Sequence, residues 1–271
     1  MKIIDCFTFY NEFDILYYRL SLLYDIVDYF IIVEANKTHT GKDKPYNFIE
    51  NIEKYNKFME KIIYVQVEDL DSNPYVNSDG NWNDGVWQNE NKQRNYIDVG
   101  IRCVPDMRDD DIIIISDVDE IPNYNILLRF KVENVEVNQI DYVTLIQDLY
   151  YYSLTTKSKT QWDYAKLVSY KCYVEKLNRI PQKCRMPYHG KAILNGGWHL
   201  SYFGNPTFIQ NKLQNFAHQE YNKEENTNLE NIAEKLKNKL PLLPNQVIEY
   251  IPIENNKNLP PRYKEFLLQY I

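Results

Sequence analysis

Short apolar runs alternate with helically spaced apolar positions through the first 122 residues. Ile3–Phe9, Tyr29–Val33, Ile62–Val67 and Ile112–Ile115 each read as a buried strand. Between the first two, Phe13, Leu16, Leu20 and Leu23 recur at helical spacing inside Glu12–Tyr24, with Asn11 as candidate N-cap. Asn47–Lys57 and Val86–Ile101 also read as helices, the latter with Gly100 near its end. Glu34–Pro45 and Glu68–Gly85 are polar and read as loops. Strands and helices alternating at this interval predict an α/β fold with a mostly parallel central sheet flanked by helices.

The pattern changes in the second half. Tyr142–Ile146, Leu149–Leu154 and Tyr164–Tyr173 read as strands with no long helix between them. Gly196-Gly197 reads as a flexible turn before Trp198. Thr207–Ala217 and Leu229–Leu240 read as helices, and a proline-punctuated stretch runs from Pro241 to Pro261. No repeat or linker divides the chain. Residues 1–271 are therefore expected to form a single domain, a strand–helix half over 1–122 and a mixed half with C-terminal helices over 123–271.

Composition narrows the partners. The net charge is −7, and an acidic balance argues against nucleic acid, whose phosphates call for a basic face. A phosphate-bearing small molecule remains compatible if a metal offsets both charges. The 24 tyrosines would suit sugar rings, which present an apolar face and a hydroxyl rim, although compositional drift explains most of them as well. Cys6, Cys103, Cys172 and Cys184 form no C-x-x-C pair, which argues against structural zinc and for a reducing compartment. No secretory signal is legible around Met1–Phe9, and no apolar run is long enough to span a bilayer. The expected location is the cytoplasm.

Asp117-Val118-Asp119 holds the chemistry. It leaves the C-terminal end of an all-isoleucine strand, where ligand sites of open α/β sheets lie. Hard oxygen ligands at this spacing suit Mg²⁺ or Mn²⁺. Such an ion can bridge a diphosphate and help it leave a sugar carbon. A lone D-x-D is weak, since solvated turns produce it often. Asp109-Asp110-Asp111, before the strand, is expected to be such a solvated run. Asp117, Asp119 and Glu120 together call for a charge partner, because clustered carboxylates raise one another's pKa. A metal is the simplest one.

Several blocks resemble glycosyltransferase family 17. They are Asp5–Glu12, Val33–Gly41, Asn89-Glu90 with Gln93-Arg94-Asn95, Ile114–Pro122 and Gly196–Tyr202. They occur in family order between residue 3 and about residue 222, and their combination is more specific than any one of them. The resemblance implies an inverting transferase of GT-A, Rossmann-like architecture. It would take a UDP-sugar, UDP-N-acetylglucosamine, as donor and a glycan or glycoprotein hydroxyl as acceptor. In that architecture 1–122 is the nucleotide-sugar half and 123–271 the acceptor half.

Roles follow with a plainer alternative beside each. Asp117 and Asp119 are assigned to metal and diphosphate, against a solvated turn. His199 is assigned to the metal shell, against a structural histidine. Trp198 can stack on a sugar or sit in the core. Phe9, Asn11, Glu12, Glu34, Thr38 and His39 rim the expected nucleotide pocket, with Glu34 alternatively capping a nearby helix. Gln93 and Arg94 lie on a helix, and Arg94 can pair with phosphate or simply with Glu90 four residues earlier. The base that inversion needs is expected among Glu120, Glu220 and Asp148, against a helix N-terminal carboxylate for Glu120 and a supporting or surface role for each of the others. Two other classes fit less well. A nucleotidyltransferase or phosphohydrolase would carry a Gly-rich or basic loop near the N-terminus, and Thr8–Asp14 has no Gly, Lys or Arg. A silent carbohydrate-binding module would leave the carboxylate cluster without a purpose.

Overall fold

The computed structural model describes residues 1–76, 84–132, 141–185 and 191–271. Part of the expected 68–85 loop, residues 77–83, lies outside them. Among the described residues ten strands form one branched mixed sheet with helices against it. Four strands make its parallel core in the order β3 (Ile62–Val67), β2 (Tyr29–Ala35), β1 (Ile3–Thr8), β4 (Ile112–Asp117). These are the four strands read from the sequence. In β4 the isoleucines 112–115 are buried to 1% exposure or less, the both-faces burial that a central parallel strand requires.

The connections of this half depart from the sequence reading in three places. Helix α1 (Phe13–Leu23) is capped at Glu12 and not at Asn11, and Glu12 turns its carboxylate back onto the amides of Tyr10 and Asn11. The expected helix 47–57 is a single turn, α2 (Asn47–Glu50), followed by 3-10 turns over Ile52–Lys61. The expected helix 86–101 is two helices, α3 (Gly85–Asn95) and α4 (Ile97–Arg102), broken at Tyr96. Gly100 lets α4 lie on the sheet, because a Cβ there would be 2.4 Å from the Ile31 side chain. The Asp109–Asp111 run is not wholly solvated. Asp111 is fully buried and accepts from the amides of Lys2 and Arg108.

The second half extends the same sheet. After β5 (Glu120–Pro122) and α5 (Tyr124–Val132), β6 (Tyr142–Tyr151) is one ten-residue strand where two were expected. Strands β7 (Thr156–Trp162) and β8 (Lys166–Ser169) lie antiparallel to it, and β8 also pairs antiparallel with β4. The expected strand 164–173 therefore ends at Ser169, whose hydroxyl caps α6 (Tyr170–Glu175). A short helix, α7 (Pro181–Arg185), precedes β9 (Lys191–Ser201). Gly196-Gly197 is inside β9 and makes no turn. At this point β9 passes between β6 and β5, and a Cβ on Gly197 would be 2.0 Å from the Ile121 carbonyl oxygen. Helices α8 (Pro206–Asn215) and, after the single turn α9 (Glu224–Thr227), α10 (Leu229–Lys237) pack with Tyr152 and Tyr202 into a small separate cluster. Strand β10 (Ile248–Tyr250) closes the far edge on β7, and α11 (Tyr263–Phe266) lies near the end. Among the described residues, no helix is long and apolar enough to cross a membrane.

Candidate active site at the end of β4

Asp117 ends β4, and Asp119 and Glu120 turn the chain into β5. A buried arginine fastens this turn from below. Arg19, on α1, is fully buried against Asp5 on β1, with hydrogen bonds of 2.8 and 2.6 Å. Its remaining donors go to the carbonyls of Asp117, Val118 and Glu120 at 2.8, 3.2 and 3.0 Å, and to the Ser116 hydroxyl at 2.7 Å. One guanidinium thus orders three carbonyls of the turn and is neutralised by Asp5. The planar fork of arginine suits this task, and lysine could not span it.

Above the turn the carboxylates meet cations from distant parts of the chain. Asp117 accepts from Arg94 of α3 at 3.1 Å and from Arg185 of α7 at 2.8 Å. Burial alone would raise the Asp117 pKa, but the Arg185 and Arg94 guanidiniums outweigh it and hold the group down at about 2. Asp119 is paired with Lys212 of α8 at 2.9 Å and lies 3.5 Å from Nε2 of His199 on β9. Burial would again raise its pKa, and Lys212 and then His199 pull it well below the usual carboxylate range. Glu120 is fully buried. It accepts from the Asp117 amide at 3.0 Å, from Trp162 Nε1 at 2.7 Å, and from both terminal nitrogens of Arg185. Lys212 also reaches Glu12 at 3.4 Å, tying the loop after β1 to the same centre.

The partner that the carboxylates call for is therefore supplied in large part by Arg94, Arg185 and Lys212. It is not left wholly to a metal. Even so, five carboxylates (Glu12, Glu90, Asp117, Asp119, Glu120) face these three cations, an excess of two negative charges. Asp119 and His199 lie together, and His199 Nδ1 is buried without a hydrogen-bond partner. Among the described residues no group of three or more His, Cys, Asp or Glu is arranged to hold a metal. That is compatible with Mg²⁺ or Mn²⁺, which are commonly held by one or two side chains plus substrate phosphates and water. Donor type, the excess charge and the approach of His199 Nε2 to Asp119 fit a divalent ion between those two groups. Asp117 fits less well, since guanidiniums occupy both of its oxygens.

The other assigned residues divide into those near this centre and those committed elsewhere. Glu90 pairs with Arg94 at 2.8 Å, the plainer of the two partners weighed for it, and Arg94 also reaches Asp117 at the strand end. His39 contacts Gln93 at 2.9 Å, and Gln93 donates to the Val33 carbonyl, which pins the 36–44 loop to α3. Thr38 closes that loop on Lys42 and on Thr40. Asn11 reaches Asn211 of α8 at 3.5 Å. Glu34 is fully buried, and Lys44, Tyr64 and the amides of Asn47 and Phe48 take up its carboxylate. This is the helix-capping alternative, and it leaves Glu34 no oxygen for a nucleotide. Phe9 packs with Phe13 and Phe48 in the core. Trp198 is 3% exposed and donates to the Asn258 carbonyl, which is its core alternative. Of the candidate bases, Glu120 is saturated, and Asp148 is held by Lys157 at 2.9 Å and Asn258 at 2.6 Å. Glu220 pairs with His218 at 2.6 Å through one oxygen, while the other, Oε2, has no partner.

Sequence reasoning missed Arg19, Arg185, Lys212 and Trp162. None carries a local motif, and each reaches the turn only through tertiary packing. A surface cavity of about 420 Å³ lined by Gln88, Asn91, Lys92, Asn95, Tyr96 and Val99 lies along α3 and α4 and includes none of these side chains.

A model of glycosyltransferase family 17 matches residues 1–246. The beta-1,4-mannosyl-glycoprotein 4-beta-N-acetylglucosaminyltransferases of Rattus norvegicus, Homo sapiens and Mus musculus are each 31% identical to this chain over 133 residues. That stretch is 48% of this chain and 23%, 24% and 23% of theirs. It spans less than a quarter of the length of these relatives.

Proposed function

The chain belongs to glycosyltransferase family 17, and we propose that it transfers N-acetylglucosamine from UDP-N-acetylglucosamine to a glycan hydroxyl, with inversion, in a GT-A-type arrangement. The observation that carries the reading is the Asp117–Glu120 turn at the end of β4, fastened by Arg19 and ringed by Arg94, Arg185, Lys212 and His199. It is a preorganised charged centre where an open α/β sheet binds ligands. The names of the relatives support the sugar and suggest a mannosyl glycan as acceptor. Residues 1–122, which carry the parallel core and Asp117 and Asp119, are assigned to the donor, and 123–271, apart from Arg185, His199 and Lys212, to the acceptor.

When bound, Mn²⁺ or Mg²⁺ on Asp119 and His199 would neutralise charge building on the departing diphosphate. The chain's own cations serve the same end. Lys212 is a point charge held between Asp119 and Glu12, and the guanidiniums of Arg94 and Arg185 are likewise fixed by two or more partners each. Inversion needs one base on the acceptor hydroxyl. Glu220 is assigned that role, because Glu120 is saturated and Asp148 is held by Lys157 and Asn258, whereas Glu220 keeps Oε2 buried without a partner.

Calorimetric titration of UDP, UDP-N-acetylglucosamine, UDP-glucose, UDP-galactose and GDP-mannose, with Mn²⁺ and with chelator, tests this. Wild type is expected to bind the UDP-sugars with Mn²⁺. Affinity should fall at least about tenfold, some 1.4 kcal/mol, with chelator or in Asp119→Ala, whose fold is checked by circular dichroism. No nucleotide binding under any condition sinks the proposal.

A further inference from the structure

Trp198, weighed from the sequence between sugar stacking and the core, lies in the core, but two other aromatic rings border the charged centre. Trp162 ends β7, and Tyr164 follows it in the connection to β8. Both are half-buried, whereas Ala165 to Ser169 immediately after them are fully packed. Each ring is held by residues of the site. Trp162 donates to Glu120 at 2.7 Å, and its ring lies 4.4 Å from the His199 imidazole. Tyr164 packs 4.7 Å from Trp162 at an interplanar angle of 40°, with the Arg185 guanidinium 5.5 Å from its centroid. Glu120, His199 and Arg185 are the groups that hold or neighbour Asp117 and Asp119.

Two rings are thus fixed in place while part of their surface stays open beside a strongly polar centre. Packing alone does not ask for this, since a buried partner would gain more from full coverage. Amphipathic rings of this kind match a ligand with one apolar face and a polar rim. The antiparallel half of the sheet supplies the rings, whereas the loops after β1 and β2 supply the polar residues on the α8 side.

We propose that Trp162 and Tyr164 form a platform on which a pyranose ring stacks beside Asp119 and His199. The proposal rests on the glycosyltransferase reading above. The ring is either the donor's sugar or the acceptor's, and the chemistry of the contact is the same.

The test uses wild type, Trp162→Ala, Trp162→Phe and Tyr164→Ala, with Tyr250→Ala as a remote exposed control. Calorimetry with Mn²⁺ gives the affinities for UDP and UDP-N-acetylglucosamine. Ligand-observed NMR gives those for methyl β-mannoside and methyl β-N-acetylglucosaminide. UDP affinity is expected to stay within about twofold throughout, while Trp162→Ala and Tyr164→Ala weaken sugar binding about three- to tenfold. Trp162→Phe should retain most of it, because the ring remains and only the hydrogen bond to Glu120 goes. A loss confined to the advantage of UDP-N-acetylglucosamine over UDP marks the donor sugar, and a loss confined to the glycosides marks the acceptor. UDP binding with neither sugar term altered in Trp162→Ala overturns the platform. So does a Trp162→Phe variant as weak as Trp162→Ala, since the ring would then only support Glu120. If wild type binds no nucleotide, the transferase reading fails by itself. The glycosides then judge the platform alone, with loss in Trp162→Ala upholding it and no sugar effect overturning it.

Discussion

Lys166 is a lysine in the interior, 3% exposed on β8 with its ammonium on the Asp163 carbonyl. Burial pushes its pKa down to about 8, against the pull of Asp163 and Glu120 and with a further push from Arg185. Cys184 and the Tyr164 ring complete its surroundings. In the unfolded chain the same group titrates near 10.4. Between these values the unfolded state binds the extra proton, so this residue makes stability rise with pH from about 8 towards 10. Lys166→Met is expected to be more stable than wild type near neutral pH, by on the order of 3 kcal/mol at most. That advantage should shrink between about pH 8 and 9.5, which urea midpoints across the range would show. A constant difference would mean that Lys166 keeps its ordinary pKa in the fold. Such residues show how far the site could be read from sequence. Asp117, Asp119 and Glu120 were legible because their strand and turn are contiguous. Lys212 and Arg185 were not, lying 93 and 65 positions from Asp119 and Glu120 respectively. Arg19 sits on the buried side of an otherwise ordinary amphipathic helix, and nothing in its neighbours marks it.

At the scale of elements, what the sequence showed and what it hid divide along contact range. The parallel core was legible because each of its strands is a short apolar run between polar segments. The second half was not, because there strand ends are set by crossing partners. β6 continues unbroken through Gln147 and Asp148, two polar residues that suggested a break. Gln147 is buried and its Nε2 donates to the Ile121 carbonyl, which meets half of its polarity inside the sheet, while Oε1 has no partner. Gly196-Gly197 misled for the same reason. Adjacent glycines usually mark a turn, but here they let three strands meet, with Gly197 at φ +147°, a conformation that side chains rarely adopt. Gly197→Ala should therefore cost about 1–3 kcal/mol in backbone strain and a similar amount in overpacking against Ile121. Since Gly197 faces Pro122 and His199 faces Glu120 on the same ladder, the variant should also displace His199. The expected result is a lower urea midpoint together with weaker Mn²⁺-dependent nucleotide binding. Lost stability with unchanged binding would show that β9 can bulge away without moving the histidine.

For the molecule as a whole, the segment after residue 246 is the part that the family match leaves out, yet it ties both halves together. β10 pairs with β7, and the Asn258 carbonyl accepts from Trp198 while its side chain donates to Asp148. Tyr18 of α1 donates to the Pro261 carbonyl, and Arg262 reaches the Ser21 carbonyl. Leu154 donates to the Tyr270 carbonyl, and the Tyr270 hydroxyl binds Asp14. Leu267 is fully buried in the main core, with Leu259, Tyr263 and Phe266 packed against it. One strap thus crosses α1, β6, β7 and β9, so its removal uncovers the outer side of both the helix that carries Arg19 and the strand that carries His199. Fully burying one leucine is worth about 1.5–3 kcal/mol, and several apolar groups are involved. A chain ending at residue 246 should therefore lose most of the 5–15 kcal/mol typical of a folded domain. It is expected to be poorly soluble or to unfold at much lower urea, with no nucleotide binding. A truncated protein that kept the wild-type midpoint would make the strap an accessory. The family-wide core of residues 1–246 would then be enough to build the centre at the end of β4.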